Sequence, residues 1–116
     1  MNRSLIILLF LCISTMSAEL DQAKKYYSLR DYKNAYRIFH KLAVNGDAEA
    51  QVYVAIFLYK NFVTDPEALS PIEWLKKSCE QKNPTAMALL SLFYLEKKTE
   101  NLYNTVYINT EMNRFY

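Results

Sequence analysis

Apolar residues run without a break from Leu5 through Ile13, and after Leu20 the pattern becomes periodic. In the periodic part, apolar positions recur at the spacing of one helix face. This predicts a short first helix near Leu20 to Leu29 and a second from Tyr32 to about Asn45, with Tyr36, Phe39, Leu42 and Ala43 on its core side. The stretch from Ala48 to about Lys60 is apolar nearly all the way round, which marks a helix packed on two sides. Two more helices are expected, from Pro71 to about Gln81 and from Asn83-Pro84 to about Lys98. Beyond Glu100 the apolar residues Leu102, Tyr103, Val106 and Tyr107 still fit one face, although Asn and Thr dilute the helix-forming composition. That segment is read as a terminal capping helix.

The boundaries follow from side chains that satisfy free backbone groups at helix ends. Asp31 and Asp47 stand where an N-cap is needed, and Gly46 between them supplies a left-handed stop. Ser70-Pro71-Ile72-Glu73 combines a serine cap, a first-position proline and a glutamate able to return the bond. Asn83-Pro84 repeats that device. In the connector Asn61 to Leu69, Asp65-Pro66 is expected to start one short helical turn.

Aligned with itself, the chain shows one working offset, a period of about 36 residues. Asp47-Ala48-Glu49-Ala50 returns as Asn83-Pro84-Thr85-Ala86, Val54 as Leu90, Phe57 as Phe93, Phe39 as Leu75, Lys41 as Lys77 and Ala43 as Cys79. Such a period is the mark of stacked helix pairs, each burying its apolar face on its neighbour. The expected fold class is all-α: a short α-solenoid of antiparallel helix pairs, about two and a half repeats of about 36 residues, following a cleaved signal peptide. Repeat units are expected at 19–46, 47–82 and 83–116, the last a terminal cap.

The N-terminal run changes the picture. Arg3 is a positive n-region, Leu5 through Ile13 an apolar core, and Ser14-Thr15-Met16-Ser17-Ala18 a small polar stretch, the three-part layout of a secretory signal over 1–18. The alternative, a membrane anchor, calls for roughly 20 apolar residues, more than this run holds. Cleavage is expected at Ala18-Glu19, with Ser17-Ala18 the competitor, and Leu11 before Cys12 argues against lipidation. The mature chain, 19–116, would be one domain, periplasmic or secreted.

Composition narrows the function classes. A single glycine, and prolines only where helices could start, disfavour a turn-rich β fold. Losing Arg3 lowers the net charge from +2 to +1, leaving no bulk attraction for nucleic acid or for an anionic membrane after signal cleavage. Without Cys12, Cys79 is the only thiol, so no internal disulfide can form. Cys79 is either a small packed hydrophobe or a reactive, intermolecular thiol.

Gly46-Asp47-Ala48-Glu49-Ala50-Gln51, with Val54-Ala55 and Tyr59 after it, resembles the first helix of Sel-one-like repeats, relatives of the tetratricopeptide family. Trp74-Leu75-Lys76-Lys77-Ser78-Cys79-Glu80-Gln81-Lys82-Asn83 is similar to their second helix and exit. The likeness is good over one repeat and extends by half-matches from Asp31 through Leu95. It departs in the connector Lys60-Asn61-Phe62-Val63-Thr64-Asp65, which lacks the family's glycines, and at Pro71, where alanine is usual. Cys79 stands where a family alanine would, and the paired cysteines of some secreted members are missing. The resemblance implies a helical scaffold for protein binding.

No catalytic, cofactor-binding or metal-binding residues are assigned, and no cofactor is expected. His40 is the only histidine and lacks an acidic neighbour at helical spacing, so it reads as a surface or groove residue. Asp65/Glu67 and Glu96/Glu100 read as a helix-end charge and a solvated face. A partner-binding face is expected at Glu49, Val52, Tyr53, Ile56, Ala88 and Leu92, with Lys60, Thr85 and Glu96 at its margins. The competing reading is that these residues pack on neighbouring inner helices. The ten tyrosines add weak support for an interface.

The leading expectation is therefore an exported, non-catalytic module that binds another protein or peptide. Its alternatives are an immunity or inhibitor protein acting on a delivered toxin and, less favoured, a small cell-envelope hydrolase relying on His40 and Cys79. Self-association is open, because so few repeats leave both ends uncovered.

Overall fold

The computed structural model describes residues 2–115, with the side chains of Cys12 and Tyr107 among those outside the described residues. Five α-helices follow one another, α1 Arg3–Ser28, α2 Tyr32–Val44, α3 Ala48–Tyr59, α4 Pro71–Glu80 and α5 Pro84–Phe115, and no strand occurs among the described residues. Each helix packs on the next in chain order, α1 on α2, α2 on α3, α3 on α4 and α4 on α5. The fold is all-helical, as the periodicity and the cap residues predict.

The starts of the middle helices are set by the expected side chains. Asp31 accepts from the backbone N–H of Asn34, and Asp47 accepts from that of Ala50 at 2.8 Å. Ser70 and Glu73 form a reciprocal capping box, the glutamate accepting from the Ser70 N–H at 2.9 Å. Asn83 accepts from the Ala86 N–H at 3.0 Å.

The stops share a single geometry. Asp31, Asp47, Phe62 and Asn83 each donate a backbone N–H to the carbonyl five residues back, at Tyr26, Leu42, Phe57 and Ser78. The residue before each of them has positive φ: Arg30 at 59°, Gly46 at 100°, Asn61 at 56° and Lys82 at 61°. These are Schellman motifs, and only one of the four has the glycine that adopts this backbone without steric cost. The turns at Gly46 and Lys82, and the caps at Asp47 and Asn83, match across the offset seen in the sequence.

The core lies where α1, α2, α3 and α4 meet. Phe39, Leu42, Val54, Phe57 and Leu75 are fully buried. Phe57 sits in an aromatic cluster, 5.5 Å from Tyr27, 5.7 Å from Tyr32, 5.6 Å from Phe39 and 5.6 Å from Phe62 between ring centroids. Buried polar groups join α3 to its neighbours: Gln51 donates to the Ala43 carbonyl at 3.1 Å, and Ser78 donates to the Ala48 carbonyl at 2.7 Å. Gln81 completes the tie by donating to the Gly46 carbonyl at 2.8 Å.

Three elements differ from expectation. The first helix begins at Arg3, because no glycine or proline separates the apolar run from Leu20. Asp65-Pro66 makes a hydrogen-bonded turn, Ala68 N–H to Asp65 carbonyl at 3.2 Å, without a helix, since Pro71 soon forces another extended residue at Ser70. The last helix does not stop near Lys98 but continues as a single rod to Phe115. Both ends of the chain therefore project, and the radius of gyration is 19.7 Å, against about 13 Å for a compact chain of this length.

Candidate partner-binding groove

Side chains also join α3 to α1 and to α5, helices two places away in the chain. Lys24 of α1 pairs with Glu49 of α3 at 2.6 Å, and Tyr27 of α1 meets Tyr53 edge-on at 5.9 Å. On the other side of α3, Tyr59 packs edge-on to Phe93 of α5 at 4.6 Å, and its hydroxyl donates to Glu96 at 3.2 Å. Glu49 raises the Lys24 pKa by accepting its hydrogen bond, and the Glu96 charge raises that of Tyr59. Both polar ties cross between helices that are not neighbours in sequence.

A groove of about 390 Å³ opens between α3 and α5. Its walls are Ala55, Ile56, Leu89, Leu92 and Phe93, Leu75 of α4 and Tyr27 of α1 contribute to its lining, and Tyr59, Lys60 and Glu96 supply its polar atoms. Leu92 is 60% exposed at its edge. An apolar trough with a few charged groups is suited to an apolar side chain of a partner, with orientation set by polar contacts at its margin. A smaller hollow of about 240 Å³ lies toward the start of α3 and is bounded by Glu49, Val52, Tyr53, Ile56, Asn83, Pro84 and Thr85.

The six residues read from the sequence divide between these settings. Ile56 and Leu92 line the larger groove, where they meet Lys60 and Glu96. Glu49, Val52 and Tyr53 border the smaller hollow, but Val52 is 4% exposed, and Tyr53 is half-buried and stacked on Phe39 at 4.3 Å. Ala88 is exposed on α5 and lines neither. Packing between inner helices thus takes Val52 and Tyr53, whereas Ile56 and Leu92 stay accessible. Sequence reasoning missed Tyr27, Leu89 and Phe93. The phase relation of Phe57 to Phe93 was the one signal for the last of these.

On the opposite surface, His40 is half-buried, its ring 5.4 Å from Tyr36 and edge-on to Trp74 at 5.9 Å. It borders a cleft with Glu67, Trp74, Lys77, Glu80 and Gln81. Cys79 is half-buried against the core. Among the described residues, no three His, Cys, Asp or Glu side chains are grouped to hold a metal ion.

No family model matches the chain, and neither a curated protein nor a solved structure is similar to it.

The N-terminal helix bears on where such a groove would work. Alone among the described helices, α1 is long and apolar enough to cross a membrane by length and composition, which also fits a signal sequence. The apolar run alone falls short of that length; the continuous helix does not. From Met16 onward, however, α1 belongs to the packed body: Met16 and Leu20 lie against the core, Glu19 pairs with Lys41 at 3.1 Å, and Ala23 is fully buried.

Proposed function

We propose that this chain is an exported helical-repeat protein that binds another protein or peptide in the groove between α3 and α5 and performs no chemistry. The observation that carries this reading is the groove itself, apolar at Ile56, Leu89 and Leu92 and charged at Lys60 and Glu96. The matching turns at Gly46 and Lys82 support a short α-solenoid related to Sel-one-like repeats. His40, held between aromatic rings, is better suited to packing than to proton transfer.

Export is supported by the division of α1. The stretch of α1 before Met16, Arg3 to Thr15, spans only about 20 Å, short of the roughly 30 Å of a bilayer core. A leader needs no more than that, and cleavage after Ala18 would leave Leu20, Ala23, Tyr26 and Tyr27 in place on the body. The protein then works in the periplasm or outside the cell.

A photo-crosslinking side chain placed at Ile56, in cells expressing the full gene, tests the binding reading. A covalent adduct whose second component is a different polypeptide supports it, provided the same probe at Glu80 gives none. Equal labelling from both positions, or no adduct with another polypeptide, would sink it. N-terminal sequencing of the recovered chain reads cleavage separately.

A further inference from the structure

The cleft that His40 borders encloses about 490 Å³. Trp74, Lys77 and Glu80 line it from α4 at three-residue spacing, so their side chains follow one another along a single helix face. His40 and Val44 of α2 form another wall, and Glu67 enters from the connector that leads into α4. Trp74 borders this cleft and neither of the hollows between α3 and α5.

The indole is 4% exposed, and its Nε1–H has no hydrogen-bond partner among the described residues. Buried polar groups are rarely left so, because the donor gives up water and gains nothing in exchange. Gln51, equally buried on the same cleft, is satisfied: it donates to the Ala43 carbonyl and accepts from Gln81. The unmet demand is therefore one specific donor, and an acceptor on a ligand would meet it. The charged side chains around it are free as well, since Lys77, Glu67 and Glu80 form no ion pair among the described residues.

We propose that the cleft binds a free basic amino acid. The ligand's carboxylate accepts from the Trp74 Nε1–H and pairs with Lys77, one turn further along α4. Its α-ammonium and its side-chain cation go to the two carboxylates that flank those donors, Glu67 ahead of α4 and Glu80 at its last residue. One lysine against two glutamates gives the cleft a net negative charge, matched by a ligand with one negative and two positive groups. An apolar or acidic amino acid would leave one glutamate unpaired. The space is ample for a single amino acid and falls within the range of small-molecule sites, about 300–1,000 Å³.

Trp74 is the only tryptophan, so the single indole N–H peak in a proton–nitrogen correlation spectrum reads the donor itself. The protein expressed from its full gene, as the cell processes it, is titrated with L-lysine and, separately, with L-arginine. At least one of them is expected to shift that peak saturably. Norleucine, which lacks the side-chain cation, and cadaverine, which lacks the carboxylate, should bind more than about tenfold more weakly. Lys77→Gln and Glu80→Gln, both at exposed positions, should weaken binding of the basic amino acid by a similar factor while the circular dichroism spectrum stays unchanged. An indole peak that neither amino acid shifts saturably overturns the proposal, and so does undiminished binding of norleucine or cadaverine, or by either variant. The cleft shares no lining residue with the α3/α5 groove, so the Ile56 crosslink stands or falls separately.

Discussion

The Tyr36 hydroxyl of α2 donates to Asp65 in the connector between α3 and α4, at 2.7 Å. This bond ties the otherwise irregular segment to the helix it crosses. Burial, then the hydrogen bond to Asp65 and its charge, push the Tyr36 pKa well above the ordinary value for tyrosine. Tyr36→Phe is expected to lose about 1–2 kcal/mol in urea unfolding at neutral pH, the range for a hydrogen bond to a charged group. Because the folded-state pKa is raised, the stabilisation is complete below the unfolded value of 10.0 and is lost as pH climbs through the folded one. The parent should therefore lose more stability than Tyr36→Phe above that pH.

The capping box at Ser70 behaves in the opposite sense. Hydrogen bonds from the Ser70 backbone and side chain hold the Glu73 carboxyl below its ordinary value of 4.5. Stability from that depression is present above the unfolded value and disappears as pH falls through the folded one. Ser70→Ala should cost about 1 kcal/mol near neutrality. An acid titration of stability should show a smaller loss for this variant than for the parent.

Three of the four Schellman turns hold a side chain where glycine is favoured. Lys82→Gly and Arg30→Gly should each raise stability by about 0.5–1 kcal/mol, relief from the left-handed backbone outweighing the added chain entropy. Gly46→Ala should lower it by about 1 kcal/mol although there is open space around its Cβ position. Denaturant midpoints for the three variants would check both signs.

These turns also explain what the sequence could convey. Asp31, Asp47, Ser70 and Asn83 act through bonds to residues only a few positions away, so local pattern placed α2, α3 and α4 within a residue or so. The stops at Arg30, Asn61 and Lys82 are the same motif without glycine, and of these residue types only asparagine favours the left-handed backbone. The end of α5 was unreadable for the converse reason. Where α3 ends at Tyr59 before Asn61, the matching stretch carries Leu95 and Lys97, which neither stop nor favour a helix decisively. The groove required tertiary information, since Tyr27 joins it from α1 and Val52 left the accessible face only when α3 was packed on both sides.

Phe57 and Ile56 stand side by side on α3 and separate stability from binding. Phe57 is fully buried among rings from α1, α2 and the connector. Phe57→Ala should remove about 3–5 kcal/mol, enough to unfold so small a domain. Ile56 is only half-buried, with its side chain lining the groove. Ile56→Lys puts a charge into the trough at a cost of about 1–2 kcal/mol, leaving the helices folded. If the groove is where a partner lies, this variant keeps its circular dichroism spectrum and loses capture of the polypeptide found by crosslinking. Capture that persists in Ile56→Lys, with the fold intact, would move the binding surface elsewhere on the molecule.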